Sequence, residues 1–97
     1  MKVFLTPRAR ADLRAIHKYL RAKSPTGAEN VLRRIRGALL QLEDQPEIGM
    51  AVADTDVRRL NVGRYPYLAY YRLTGRRVEV VHIRHTSRAD VEATDLE

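Results

Sequence analysis

Two hydroxyl–proline pairs, Thr6-Pro7 and Ser24-Pro25, constrain the first half of this chain more than any other feature. Each is a helix start. The hydroxyl accepts a hydrogen bond from an otherwise unpaired N–H of the first turn, and proline lacks an N–H where none is needed. After the first pair, Ala9, Leu13, Ile16 and Leu20 recur at helical spacing, with Arg10, Arg14, Lys18 and Arg21 at other angles as a basic stripe. This predicts a helix from Pro7 to about Lys23. After the second pair, Ala28, Val31, Leu32, Ile35, Leu39 and Leu42 form a long apolar stripe, with Arg33, Arg34 and Arg36 outward or lateral. That helix should end near Glu43 or Asp44, before Pro46, and Gly27 leaves its start less defined. Amphipathic helices joined by so short a turn form an antiparallel hairpin with one apolar face to bury.

The rest of the chain reads as strands. Met1 to Leu5 is a short one, and Gln45 to Asp56 has no clear period and reads as loop. Val57 to Val62, Tyr67 to Leu73 and Arg77 to His85 are β-branched or aromatic runs separated by Gly63 with Pro66 and by Thr74-Gly75. Such short links predict an antiparallel meander. The expected fold is α+β in two layers: a β-α-α-β-β-β order, with the helical hairpin packed on a small antiparallel sheet. Residues 1–97 make one domain, since a chain of this length has room for a single core. Ala89 to Glu97 is an acidic tail, either a frayed helix or a mobile segment.

A hydrophobic fraction of 44% is that of a globular protein and excludes general disorder. The absence of cysteine excludes disulfides and thiolate chemistry and suits a reducing cytoplasm. No apolar stretch approaches the roughly 18–20 residues that span a bilayer, and Val3 to Leu5 is too short for a signal peptide's apolar core. The net charge of +6 is unevenly spread. Residues 1–40 carry +8 and residues 57–88 carry +7, whereas residues 41–56 carry −5 and residues 89–97 carry −4. Basic regular structure of this kind suits a polyanion or an acidic protein, or serves solubility alone.

The run VVHIRHTSR, Val80 to Arg88, concentrates the chemistry. Side chains alternate along a strand, so His82 and His85 point to opposite faces and cannot share a metal without a bulge between them. On strict alternation His85 shares a face with Val81 and Ile83, and His82 with Val80 and Arg84. His85 is a candidate for a histidine at the core border, a binding residue, or a proton-transfer group. Arg58, Arg59, Arg72, Arg84 and Arg88 fall on or just past neighbouring strands, where guanidinium groups can grip phosphates or carboxylates. Tyr65, Tyr67, Tyr70 and Tyr71 crowd the middle strand and can pack a small core or stack bases. No Gly-rich phosphate loop, Ser-His-Asp arrangement or cofactor motif is present.

These pieces together resemble the RelE/ParE superfamily of bacterial toxins over nearly the whole length. They are A-x-x-D-L-x-x-I-x-x-Y-L at Ala9 to Leu20, P-x-x-G at Pro46 to Gly49, and V-R-R-L at Val57 to Leu60. G-R-Y-P-Y-x-x-x-Y follows from Gly63 to Tyr71, and I-x-H-x-x-R from Ile83 to Arg88. The resemblance implies a helical hairpin on an antiparallel sheet and a cognate antitoxin that wraps the toxin. It also implies one of two targets. ParE-like members inhibit DNA gyrase without hydrolytic chemistry, which would make Arg58, Arg59, His85 and Arg88 the target-facing residues. RelE-like members cut messenger RNA on the ribosome, which would make His85 catalytic with Arg72, Arg84 or Arg88 steadying phosphate. The chain has no lysine after Lys23, no aromatic after Tyr71 and an acidic tail, which favours the ParE-like branch. Leu13, Ile16 and Leu20 either pack internally or line a groove for the antitoxin.

Overall fold

The computed structural model describes residues 1–86. Its elements are β1 (Lys2–Leu5), α1 (Pro7–Lys23), α2 (Pro25–Gln41), β2 (Met50–Ala51), β3 (Val57–Asn61), β4 (Tyr67–Thr74) and β5 (Arg77–His85). Both hydroxyl–proline pairs start helices as expected: Thr6 Oγ1 accepts from the Ala9 N–H and Ser24 Oγ from the Gly27 N–H. Ser24 is also the C-cap of α1, its N–H donating to Leu20 O, so the hairpin turns on one residue.

The sheet order is β1-β5-β4-β3-β2. The meander β3-β4-β5 is antiparallel. The expected α+β fold, a helical hairpin with a small sheet, is present, and two details of the sheet differ from expectation. The sheet is mixed, because β1 runs parallel to β5, with Lys2 opposite Arg77 and Leu5 opposite Val80. No local turn joins these two strands, so hairpin logic carries no information about their relative direction. The segment read wholly as loop also contains β2, which pairs antiparallel with β3 at the far edge. Two residues are too few to show a period.

The main core lies between the helices and one sheet face. Ala9, Val31, Ile35, Leu39 and Leu42 pack against Leu60, Val62, Tyr67, Ala69, Tyr71, Val78, Val80 and Ile83. Burying a side chain such as Ile35 contributes about 1.5–3 kcal/mol, so this layer is the principal source of stability. A smaller cluster of Val57, Tyr70 and Val81, joined by Val52 and Leu68, forms on the opposite face. A bulge explains how Val80 and Val81 serve different cores. Tyr70 pairs with His82 but Tyr71 pairs with Val80, leaving Val81 without a partner on β4. Strict alternation therefore fails at Val81: His85 shares a face with Ile83 but not with Val81, and His82 does not share one with Val80.

Tyr71 anchors the P-x-x-G segment. Its hydroxyl donates to Pro46 O at 2.8 Å and accepts the Gly49 N–H at 2.9 Å. A Cβ at Gly49 would stand 2.7 Å from the Tyr71 ring and hydroxyl and 3.0 Å from Arg59 O, so only glycine fits there without a shift.

Candidate functional site

The chemistry-bearing residues gather where α1 meets β5. The parallel ladder ends at Leu5, after which Thr6 donates its N–H to Val80 O at 3.0 Å and its hydroxyl lies 3.4 Å from Val81 O. Beyond that point the edge of β5 away from β4 has no strand beside it, and α1 takes over there. Asp12 Oδ2 accepts the Ile83 N–H at 2.9 Å and lies 2.8 Å from His82 Nδ1. A carboxylate only accepts, so Nδ1 is the donor in this pair. Both side chains are largely covered, at 12% exposure for His82 and 21% for Asp12. On its other flank His82 stacks on Tyr70, with ring centroids 5.9 Å apart and planes 22° apart. The Tyr70 hydroxyl in turn accepts from Arg84 Nε at 3.3 Å. Asp12, His82, Tyr70 and Arg84 thus form a continuous polar and aromatic chain, closed by packing.

In the sequence Asp12 stands only as the acid of the A-x-x-D-L motif, with no site role attached to it. Its signal was present: it is the sole acid among the first 28 residues, set within a basic helix. Its partner lies 70 residues away, and no local spacing connects the two.

His85 sits on the helix-facing side of the sheet, edge-on to Tyr67 with ring centroids 5.2 Å apart and an interplanar angle of 83°. It opens on a groove of about 540 Å³ beside α1, whose walls include Ile16, Tyr19, Leu20, Tyr65 and Tyr67. Leu13, Ile16 and Leu20 are half-buried against the core; Ile16 and Leu20 also line the groove, and Leu13 does not. The two histidines face opposite ways, and among the described residues no three His, Cys, Asp or Glu side chains converge as metal ligands.

The arginines predicted as one set occupy several places. Arg58 Nη1 donates to Gly49 O at 2.8 Å and Glu47 O at 3.2 Å, bracing the loop that Tyr71 anchors. Arg59, the next residue along β3, points to the other face and is exposed, its Nη2 4.0 Å from Met50 Sδ. Arg72 pairs with Glu79 across the ladder, its Nε 3.4 Å from Glu79 Oε1. That places it at the opposite end of β4 from Tyr67, where His85 pairs, so Arg72 and His85 do not meet. Arg88 and the acidic tail lie outside the described residues. Among the described residues no helix is long and apolar enough to cross a membrane.

The profile of the family described as "ParE toxin of type II toxin-antitoxin system, parDE" matches residues 3–90. The chain is 37% identical over 87 residues to "Toxin RelE2" of Caulobacter vibrioides, covering 90% of this chain and 97% of that protein. The solved structure "Chromosomal ParDE TA system from P. aeruginosa" superposes with a TM-score of 0.73 at 25% identity, over 90% of this chain and 97% of that one. The mixed sheet under a helical hairpin is thus a shared architecture, and the chain belongs to the ParE toxin family of type II toxin–antitoxin systems.

Proposed function

We propose that this toxin inhibits DNA gyrase by direct binding and is neutralised by a cognate antitoxin encoded beside it. The observation that carries the reading is the separation of the residues a ribonuclease would need. Cleavage through a ribose 2′-hydroxyl requires a base, an acid and charge stabilisation around one phosphate. Here His85 packs on Tyr67, Arg72 is paired with Glu79 at the other end of the ladder, and Arg58 is committed to loop carbonyls. Binding needs no such convergence. Arg59 is exposed next to the β2 edge of the sheet, where it pairs with Met50, itself 66% exposed, and a mixed cationic and apolar rim of this kind suits a protein target. We assign that edge to gyrase. The groove beside α1, with Ile16 and Leu20 in its wall, is assigned to an amphipathic antitoxin segment.

A second reading is ribosome-dependent cleavage of messenger RNA, favoured by the relative named Toxin RelE2 and by an imidazole oriented by Asp12. Induction of the toxin in growing cells separates the two. Growth arrest with DNA-damage signalling supports gyrase as the target, whereas arrest with immediate loss of translation and no damage signal supports the ribosome.

A further inference from the structure

A second groove, of about 610 Å³, lies between α2 and the β3–β4 turn and plays no part in the site above except through Tyr65, which borders both. Arg33 and Arg34 enter it from α2 and Arg64 from the turn. All three are exposed, and among the described residues no carboxylate lies within 4.0 Å of any of them. Arg33 has only a local bond to Asn30 Oδ1 at 3.3 Å. Arg34 Nη2 reaches across to the turn, 3.5 Å from where a Cβ on Gly63 would stand.

Two further features shape this groove. Gly37 forms part of the floor in the middle of α2, where glycine weakens a helix relative to alanine. A Cβ there would meet nothing within 4 Å, so no contact inside the chain requires the glycine. Arg64 has φ +63°, directly after Gly63 at φ +77°. A left-handed arginine is unfavourable and is held only where surrounding bonds determine it. Those bonds are Gly63 N–H to Asn61 Oδ1 at 3.0 Å, Tyr65 N–H to Gly63 O at 2.7 Å and Val62 N–H to Tyr67 O at 3.1 Å. The turn sets the Arg64 guanidinium 5.7 Å from the centre of the Tyr65 ring, on the groove wall.

We infer that this groove binds the phosphodiester backbone of a nucleic acid. Three guanidinium groups with no carboxylate partner among the described residues, lining one groove with Gly37, match a ligand of repeated charge that approaches closely. An acidic amphipathic peptide is the poorer match, because such a peptide has apolar side chains to bury and this groove is lined mainly by arginines and amides. Backbone contacts carry affinity without sequence preference.

The test is fluorescence anisotropy of the purified full-length chain with a short labelled DNA duplex and an RNA duplex of equal length, with no gyrase present. It is therefore independent of the target assignment. Three phosphate contacts predict roughly 40-fold weaker binding between about 50 and 200 mM salt, similar for both duplexes and for unrelated sequences. Arg33→Ala/Arg34→Ala/Arg64→Ala should remove that steep dependence, and Arg34→Glu alone should weaken binding. Arg14→Ala/Lys18→Ala/Arg21→Ala, with the same loss of charge from α1, should bind as the parent chain does. Circular dichroism confirms that each variant is folded. Equal weakening by both triple variants would overturn the inference, as would displacement of DNA by polyglutamate as readily as by polyphosphate.

Discussion

Asp12 Oδ2 lies 2.8 Å from His82 Nδ1 and at the same time accepts the Ile83 N–H, so one oxygen of α1 closes the edge of β5 that β1 leaves open. An unsatisfied group in such a part-buried place costs about 1–3 kcal/mol. Asp12→Ala should therefore lower the melting temperature by about 4–8 °C per kcal/mol lost. Asp12→Asn retains an acceptor for Ile83 and should lose less. Equal, negligible effects from both substitutions would show that the edge is closed by something other than Asp12.

Tyr71 and Gly49 should behave as one unit. Tyr71→Phe removes the hydroxyl that joins Pro46 O to the Gly49 N–H, an expected loss of about 1–3 kcal/mol. Gly49→Ala forces a methyl against the Tyr71 ring and should cost about 1–3 kcal/mol by overpacking. Because the two residues touch, the double variant should lose less than the sum. Strict additivity in urea denaturation would contradict the contact.

Gly37→Ala should stabilise the chain, by about 1 kcal/mol, because the helix gains propensity and the new methyl meets open space. Thermal melts read this directly, and a lower melting temperature would contradict the open floor of the basic groove.

The adjacent arginines of β3 should separate fold from function. Arg58→Ala should lower stability, since its guanidinium braces Gly49 O and Glu47 O. Arg59→Glu should leave the melt unchanged, because the side chain is exposed, and should abolish growth arrest if this edge meets the target. Arrest that survives Arg59→Glu would move the target surface elsewhere.

Much of this fold is legible because its signals are local. Thr6-Pro7 marks a helix start that a reader of the sequence can place to the residue, Ser24-Pro25 marks a second whose first turn Gly27 leaves less defined in the sequence, and the end of α1 follows from the second pair. The three meander strands are legible from their composition and short links. What escapes is non-local. The direction of β1 depends on a partner 75 residues away. The bulge at Val81 hides within an unbroken apolar run, where any register looks acceptable. Asp12 is an ordinary helix acid until β5 arrives beside it. At the candidate site, the opposed directions of His82 and His85 follow from strand alternation. The dispersal of Arg58, Arg59 and Arg72 does not, since it depends on which carbonyl or carboxylate each finds after folding.

The most direct measurement is a supercoiling assay with relaxed plasmid, purified gyrase and this toxin in excess. Inhibition by binding predicts loss of supercoiling, prevented by prior addition of the antitoxin, with messages on translating ribosomes left uncut. Full gyrase activity at toxin excess, together with codon-positioned cuts in primer extension, would contradict it.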